Sequence, residues 1–200
     1  MGAGLVLLAE SMMAPVAHAA ADAQAASKSP LAVKMLISSR KDVCFDPGDV
    51  GAIKRLVGLE QERINRRGGI SGHYVEVEFL DDARDKERAV TNIRGALKGT
   101  NTLALVGLSN SNNAKHVFET LGGDIKSAAI PFISDLAINS LFAEFPTVFT
   151  TRASQDDDRD PVMATFTRKI GYQRPGFIGI KDMAGSDAMA EGQKAKFTDN

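Results

Sequence analysis

The chain has 200 residues, 44% of them hydrophobic and 24% charged, with a formal net charge of −1. That balance fits a globular chain with a real core and room for one domain or one and a half. It gives no long-range field to gather nucleic acid or anionic lipid, and with no Trp and two Tyr there is little surface on which bases could stack.

The chain opens on a short apolar core, "GAGLVLLA", followed by "APVAHA" with small residues at Ala17 and Ala19. This core is too short to span a bilayer and is spaced for a signal peptidase, so residues 1–21 read as a signal peptide and 22–30 as a flexible Ala-rich leader. No Lys or Arg precedes the apolar core, and a retained Ala-rich tail is the alternative. Export is the expectation, with cleavage near Ala19 or Ala21 and no direct insertion of the mature chain into the membrane.

"LAVKMLI" (31–37) has the continuous apolar character of a buried strand. Asp49 is placed to cap a helix carrying Val50, Ile53, Val57 and Ile64, which Gly68-Gly69 stop. "YVEVEFL" (74–80) alternates Val75, Val77 and Phe79 with Glu76 and Glu78, a wetter strand suited to a sheet edge. Asp81-Asp82 end it, and Asp85 caps a second helix with Ala89, Val90, Ile93 and Leu97 on its apolar face. "LALV" (103–106) is a third strand, followed by a Ser/Asn loop and a helix containing Val117, Phe118 and Leu121. "IPFIS" (130–134) and "TVFT" (147–150) are the fourth and fifth strands.

After residue 150 the rhythm restarts. Asp160-Pro161 opens a helix with Met163, Phe166 and Ile170 as its stripe. "GFIGI" (176–180) reads as a strand and "DAMAEGQKA" (187–195) as a helix. The alternation predicts an α/β fold, a doubly wound, mainly parallel sheet forming a first lobe over 31–150. Residues 151–200 read as a hinge and an incomplete second α/β lobe, because one strand and two helices cannot close a core.

In such sheets ligands sit beyond the carboxyl ends of the strands. Three loops leave that edge: Ser38-Ser39, Ser109 to Asn113, and Ser134 to Ser140. The middle loop enters a helix N-terminus, which favours an anionic group such as a carboxylate, and Ser109 or Ser111 adds a hydroxyl. Helix capping by Ser and Asn is the competing account of the same residues.

Other chemistry is poorly served. Gly107-Leu108-Ser109-Asn110-Ser111 approaches a nucleophile elbow, but Ser111 replaces its last glycine and no His follows His116. No phosphate loop, dinucleotide fingerprint or zinc-protease helix is present, so neither an enzyme nor a bound cofactor is expected. Asp156-Asp157-Asp158 lacks calcium-loop spacing, and His18, His73 and His116 show no metal-ligand spacing and read as surface residues. Cys44 stands alone, so no internal disulfide can form.

"LEQERINRRGGISGHYVEVEFLDDARDKERAV" resembles type I periplasmic binding proteins, in which a helix ends at Asn-x-x-Gly-Gly-Ile-x-Gly before a strand and an Asp-Asp turn. "LALVGLSNSNNA", "IPFISDLAINS" and "TVFTTRASQDDD" continue in that order. The group most similar is the solute receptors of ABC importers for branched-chain amino acids, amides and urea, and the resemblance runs from about Leu31 to about Ala195. It implies two lobes closing on a small polar solute, with a membrane ABC permease as partner. A ligand-sensing domain of a regulatory system on the same fold is the alternative. By the resemblance, Ser109 or Ser111, with Asn110 alongside, holds a ligand carboxylate. Leu136 and Ala137 match the backbone positions that meet the ligand's amino end. Ile138 stands where the family has a threonine, so either Asn139 substitutes or the solute lacks an α-amino group. "SSRKDVCFDPGD" and "MAGSDAMAEG" also depart from the family's patterns, so branched-chain specificity does not carry over. Family members are longer, and the chain is expected to stop inside the second lobe.

Overall fold

The computed structural model describes residues 28–39, 47–153 and 158–198. The expected signal peptide, most of the leader, Cys44, Asp156 and Asp157 lie outside the described residues. Five strands alternate with helices: β1 (Lys28–Ile37), α1 (Pro47–Arg66), β2 (His73–Asp81), α2 (Lys86–Leu97), β3 (Thr102–Gly107), α3 (Ser111–Ala128), β4 (Phe132–Ser134), α4 (Asn139–Phe142) and β5 (Val148–Thr150). The sheet is parallel throughout, in the order β2-β1-β3-β4-β5. The doubly wound first lobe is therefore as expected, and its strand order reverses between β1 and β3.

β1 begins at Lys28, so the end of the expected flexible leader is strand. The Lys28 N–H donates to the Gly72 carbonyl at 3.3 Å, and the register slips between Lys28 and Leu31, where Pro30 has no N–H to give. α1 likewise starts at Pro47, which puts Asp49 inside the first turn rather than at the cap. Asp85 caps α2 as expected, accepting from the Arg88 N–H at 2.7 Å.

β2 lies at the sheet edge, and its outward backbone groups are covered by side chains of α1. The Asn65 amide accepts from the Val75 N–H and donates to the Val75 carbonyl, both at 2.8 Å, and Gln61 accepts from the Val77 N–H at 2.8 Å. An edge strand that would otherwise recruit another chain is closed by two amides. The turn that allows this is tight: Gly69 has φ 72°, and a Cβ there would lie 1.8 Å from the His73 carbonyl oxygen.

The core lies on the face covered by α2 and α3. Leu36, Val90, Ile93, Leu105, Val117, Leu121, Ile125 and Phe132 are buried there, with Phe118 packing against the rings of Phe132, Phe142 and Phe145. Alternate strand residues, Val33, Met35, Phe79 and Val106, point to the other face and stay half-buried. Lys54 of α1 reaches over the Phe79 ring there.

Beyond residue 158 two helices follow, α5 (Asp160–Lys169) and α6 (Ala184–Thr198). α5 opens at Asp160-Pro161 as expected; Asp160 is fully buried, and a Cβ at Gly192 of α6 would come within 2.3 Å of its carboxylate. The two helices also meet where Arg168 donates to the Lys196 carbonyl and lies over the Phe197 ring. One expectation is corrected here. "GFIGI" (176–180) joins no ladder, since no strand among the described residues offers it backbone partners, and Ile178 is 99% exposed. The apolar stripe of α5 is also uncovered, with Met163, Phe166 and Ile170 exposed.

The Asn65 contact gives a direct test. Asn65→Ala leaves the β2 edge without its cap and is expected to lower unfolding free energy by about 1–2 kcal/mol in urea titration. A loss within about 0.3 kcal/mol would mean that water replaces the amide at no cost.

Candidate functional site

The site is built where β1 and β3 end side by side. Gly107 has φ 109°, and a Cβ on it would lie 2.3 Å from the Leu36 carbonyl oxygen, so only glycine lets the two strand ends approach this closely. Leu108 follows with φ 67° and is buried in the core, an unusual pair of left-handed residues in succession. Its N–H donates to the Leu36 carbonyl at 3.4 Å. The chain is thereby turned sharply to carry Ser109 and Asn110 across the switch point into α3.

Each polar residue of this loop has a different placement. Asn110 is the N-cap, and its side-chain oxygen accepts from the Asn112 and Asn113 N–H groups at 3.0 and 3.1 Å. Ser111 is buried, and its hydroxyl oxygen accepts from the Gly185 N–H at 3.2 Å. The exposed Asn112 donates to the Asp182 carbonyl at 3.0 Å and accepts from the Ala184 N–H at 2.8 Å. Asn113 is buried and donates to Asp82 at 2.9 Å. Ser109 is half-buried beside them. Capping thus accounts for Asn110 alone.

The Asp81-Asp82 turn at the end of β2 ties the neighbouring loops together. Asp82, itself buried, receives Asn113 of α3 on one oxygen and the Arg84 N–H at 2.8 Å on the other. Asp81 accepts from the Ser39 hydroxyl, the Ser39 N–H and the Ala83 N–H. Partial burial pushes the Asp81 carboxyl up. The Ser39 bonds, the Ala83 bond and the charge of Arg88 outweigh it and hold the group below its ordinary value. Sequence reasoning had given these aspartates only the ending of a strand. The signal available was their adjacency at the carboxyl edge, which cannot show that one faces β1's loop and the other faces α3.

The loop after β4 is placed beside α3, with Leu136 and Ala137 half-buried and Ile138 buried. The Leu136 N–H donates to the Ser134 hydroxyl at 3.2 Å, so that backbone donor is turned into its own loop. Asn139 opens α4. His116 is a partner of Glu87 at 2.8 Å, joining α3 to α2 rather than standing alone as expected. Among the described residues no cluster of His, Cys, Asp and Glu is arranged for a metal ion, and no helix is long and apolar enough to cross a membrane.

Between α3, the β4 loop and α6 lies a cleft of about 630 Å³. Ile138, Leu141, Ala184 and Ala188 form its apolar part, and Lys115, Glu119, Asp187 and Glu191 its charged part. Of the β4 loop it takes in Ile138 and Ser140; Ser111 does not line it, but its partner Gly185 directly follows Ala184, which does.

A family model described as periplasmic binding protein matches residues 59–200. No curated protein sequence matches the chain. Among solved structures, an ABC transporter substrate-binding protein from Desulfitobacterium hafniense aligns with 15% identity and a TM-score of 0.64, over 86% of this chain and 47% of its own. The branched-chain amino acid transporter substrate binding protein LivJ of Streptococcus pneumoniae, in complex with isoleucine, aligns with 14% identity and a TM-score of 0.65, over 84% and 47%. A solute binding protein of an ABC transporter from R. palustris, in complex with 4-hydroxybenzoate, aligns with 14% identity and a TM-score of 0.59, over 86% and 44%. The chain therefore spans about half the length of these structures. The fold is the α/β lobe of type I periplasmic binding proteins, one of the doubly wound parallel folds with a switch point. By its sequence match the chain belongs to the periplasmic binding protein family.

The Asp81 contact predicts an acid-sensitive loop. Its contribution is complete above the ordinary carboxylate pKa of about 3.9 and is lost as pH falls through the depressed value. Amide-exchange protection of Ser39 is expected to fall in that window, and Asp81→Asn should remove the pH dependence there. Protection of Ser39 that does not change with pH in the parent chain would refute this.

Proposed function

We propose that the chain is the ligand-binding part of an extracytoplasmic receptor that delivers a small polar solute to a membrane ABC permease. The solute is amino-acid-like, an amide or a small carboxylate. The observation that carries the reading is the buried Ser111 at the N-terminus of α3, beside a cleft whose other wall is α6. Helix N-termini favour anions, and Ser111, accepting from Gly185, retains its own hydrogen to donate to a carboxylate oxygen. Ser109 and the Asn110 cap complete that end of the site. Residues 31–150 act as the first lobe, and 151–200 as the hinge and part of a second.

The similar structures support a carboxylate over any one side chain. Isoleucine and 4-hydroxybenzoate share a carboxylate, and only the first has an ammonium group. Here Ile138 cannot accept from an ammonium, and Leu136 and Ala137 offer backbone only. The carboxylates of Glu119, Asp187 and Glu191 on the cleft walls would take that role. Binding of this kind needs no catalytic group and no cofactor, and the exported form would be periplasmic.

A calorimetric screen of amino acids, amides and small carboxylates is expected to find a ligand. Ser111→Ala should then weaken it by about 1–3 kcal/mol, the value of a hydrogen bond to a charged group, with Ser109→Ala costing less. No binding anywhere in the screen would sink the proposal. Binding that Ser111→Ala leaves unchanged would move the carboxylate elsewhere.

A further inference from the structure

α6 follows Met183, whose side chain has no oxygen or nitrogen with which to cap a helix. Its third and fourth N–H groups, of Ser186 and Asp187, turn back to the Met183 carbonyl at 2.8 and 3.0 Å. The first two, of Ala184 and Gly185, are met from the other unit. Ala184 donates to the Asn112 side chain and Gly185 to the Ser111 hydroxyl. A helix start leaves four such donors without partners inside the helix, so their capture by α3 is an energetic tie and not a casual touch.

The Asn112 amide does more than cap. Its oxygen takes the Ala184 N–H while its nitrogen gives to the Asp182 carbonyl, so one planar group reads the turn on both sides. Asp182 holds φ 59°, a left-handed geometry uncommon outside glycine, which shapes the turn that offers both groups. Each of these bonds joins two groups of the chain itself. Asn112 also makes no contribution to the core, since it is exposed and its own N–H is held by Asn110.

We propose that Asn112 is a positioning residue, a latch that holds the turn 182–185 and the start of α6 against α3 without help from a solute. Through that turn it keeps the Gly185 N–H on Ser111. Closure of the junction is then partly built into the chain, and a ligand has correspondingly less of the closing equilibrium to shift. The inference rests on the junction itself and stands apart from the identity of any solute.

Amide hydrogen exchange on the unliganded chain tests it, because local opening at a junction is read separately from global unfolding. In Asn112→Ala, exchange at Ala184 and Gly185 is expected to speed up on the order of tenfold, the loss of two modest hydrogen bonds. Amides of β1 and β3 should keep their protection. Asn112→Asp, which can accept from Ala184 but cannot donate to Asp182, should fall between. Unchanged exchange at Ala184 and Gly185 would overturn the latch. So would an equal acceleration in β1 and β3, which would make Asn112 a general stabiliser. Failure of the ligand screen leaves this outcome untouched, so the two readings fail separately.

Discussion

The hydrogen bond between Asn113 and Asp82 fixes the relation of everything near the carboxyl edge. It is buried, it joins a carboxylate at the end of the edge strand to the first turn of α3, and it spans the strand that lies between them. A buried carboxylate must be compensated, and Asp82 is, by Asn113 and by the Arg84 N–H. The helix start is thereby pinned both along the sheet and across it. Asn110 then supplies only the local cap, which leaves Ser111 and Asn112 to face the second unit.

This placement explains why a run of five Ser and Asn residues is not redundant. The turn made by Gly107 and Leu108 brings the loop over the switch point, and the helical geometry that follows spreads successive side chains round the axis. Asn113 points to the edge strand's carboxylate, while Ser111 and Asn112 meet the turn before α6. The start of α3 is thus both tied to the sheet and placed at the meeting of two units. Both are achieved within three consecutive residues.

Most of the first lobe was legible in the sequence, because apolar runs and capping residues are local signals. The edge position of β2 could be read from Glu76 and Glu78, and Asp85 announced its helix. The strand at 176–180 was misread for a physical reason: "GFIGI" has the right composition, but a strand exists only when a neighbour accepts its backbone bonds. The α5 stripe is present but exposed, in keeping with a second unit that cannot close a core by itself. In the site, the Ser/Asn loop stood out by composition. Its division of labour did not, because the partners of Asn112 and Asn113 lie 70 and 31 residues away. The Asn65 contact with β2 was hidden too, although the helix end that contains it carries the family resemblance.

That contact between α1 and β2 sets a direction for the whole sheet. A parallel sheet grows by adding strands at either free edge, and here one edge is already closed by Asn65 and Gln61 from the chain's own helix. The opposite border, β5, with Phe149 half out in solvent, carries no such guard among the described side chains. A strand added to this sheet would therefore meet competition from α1 at Val75 and Val77 of β2 that it does not meet from those amides at β5.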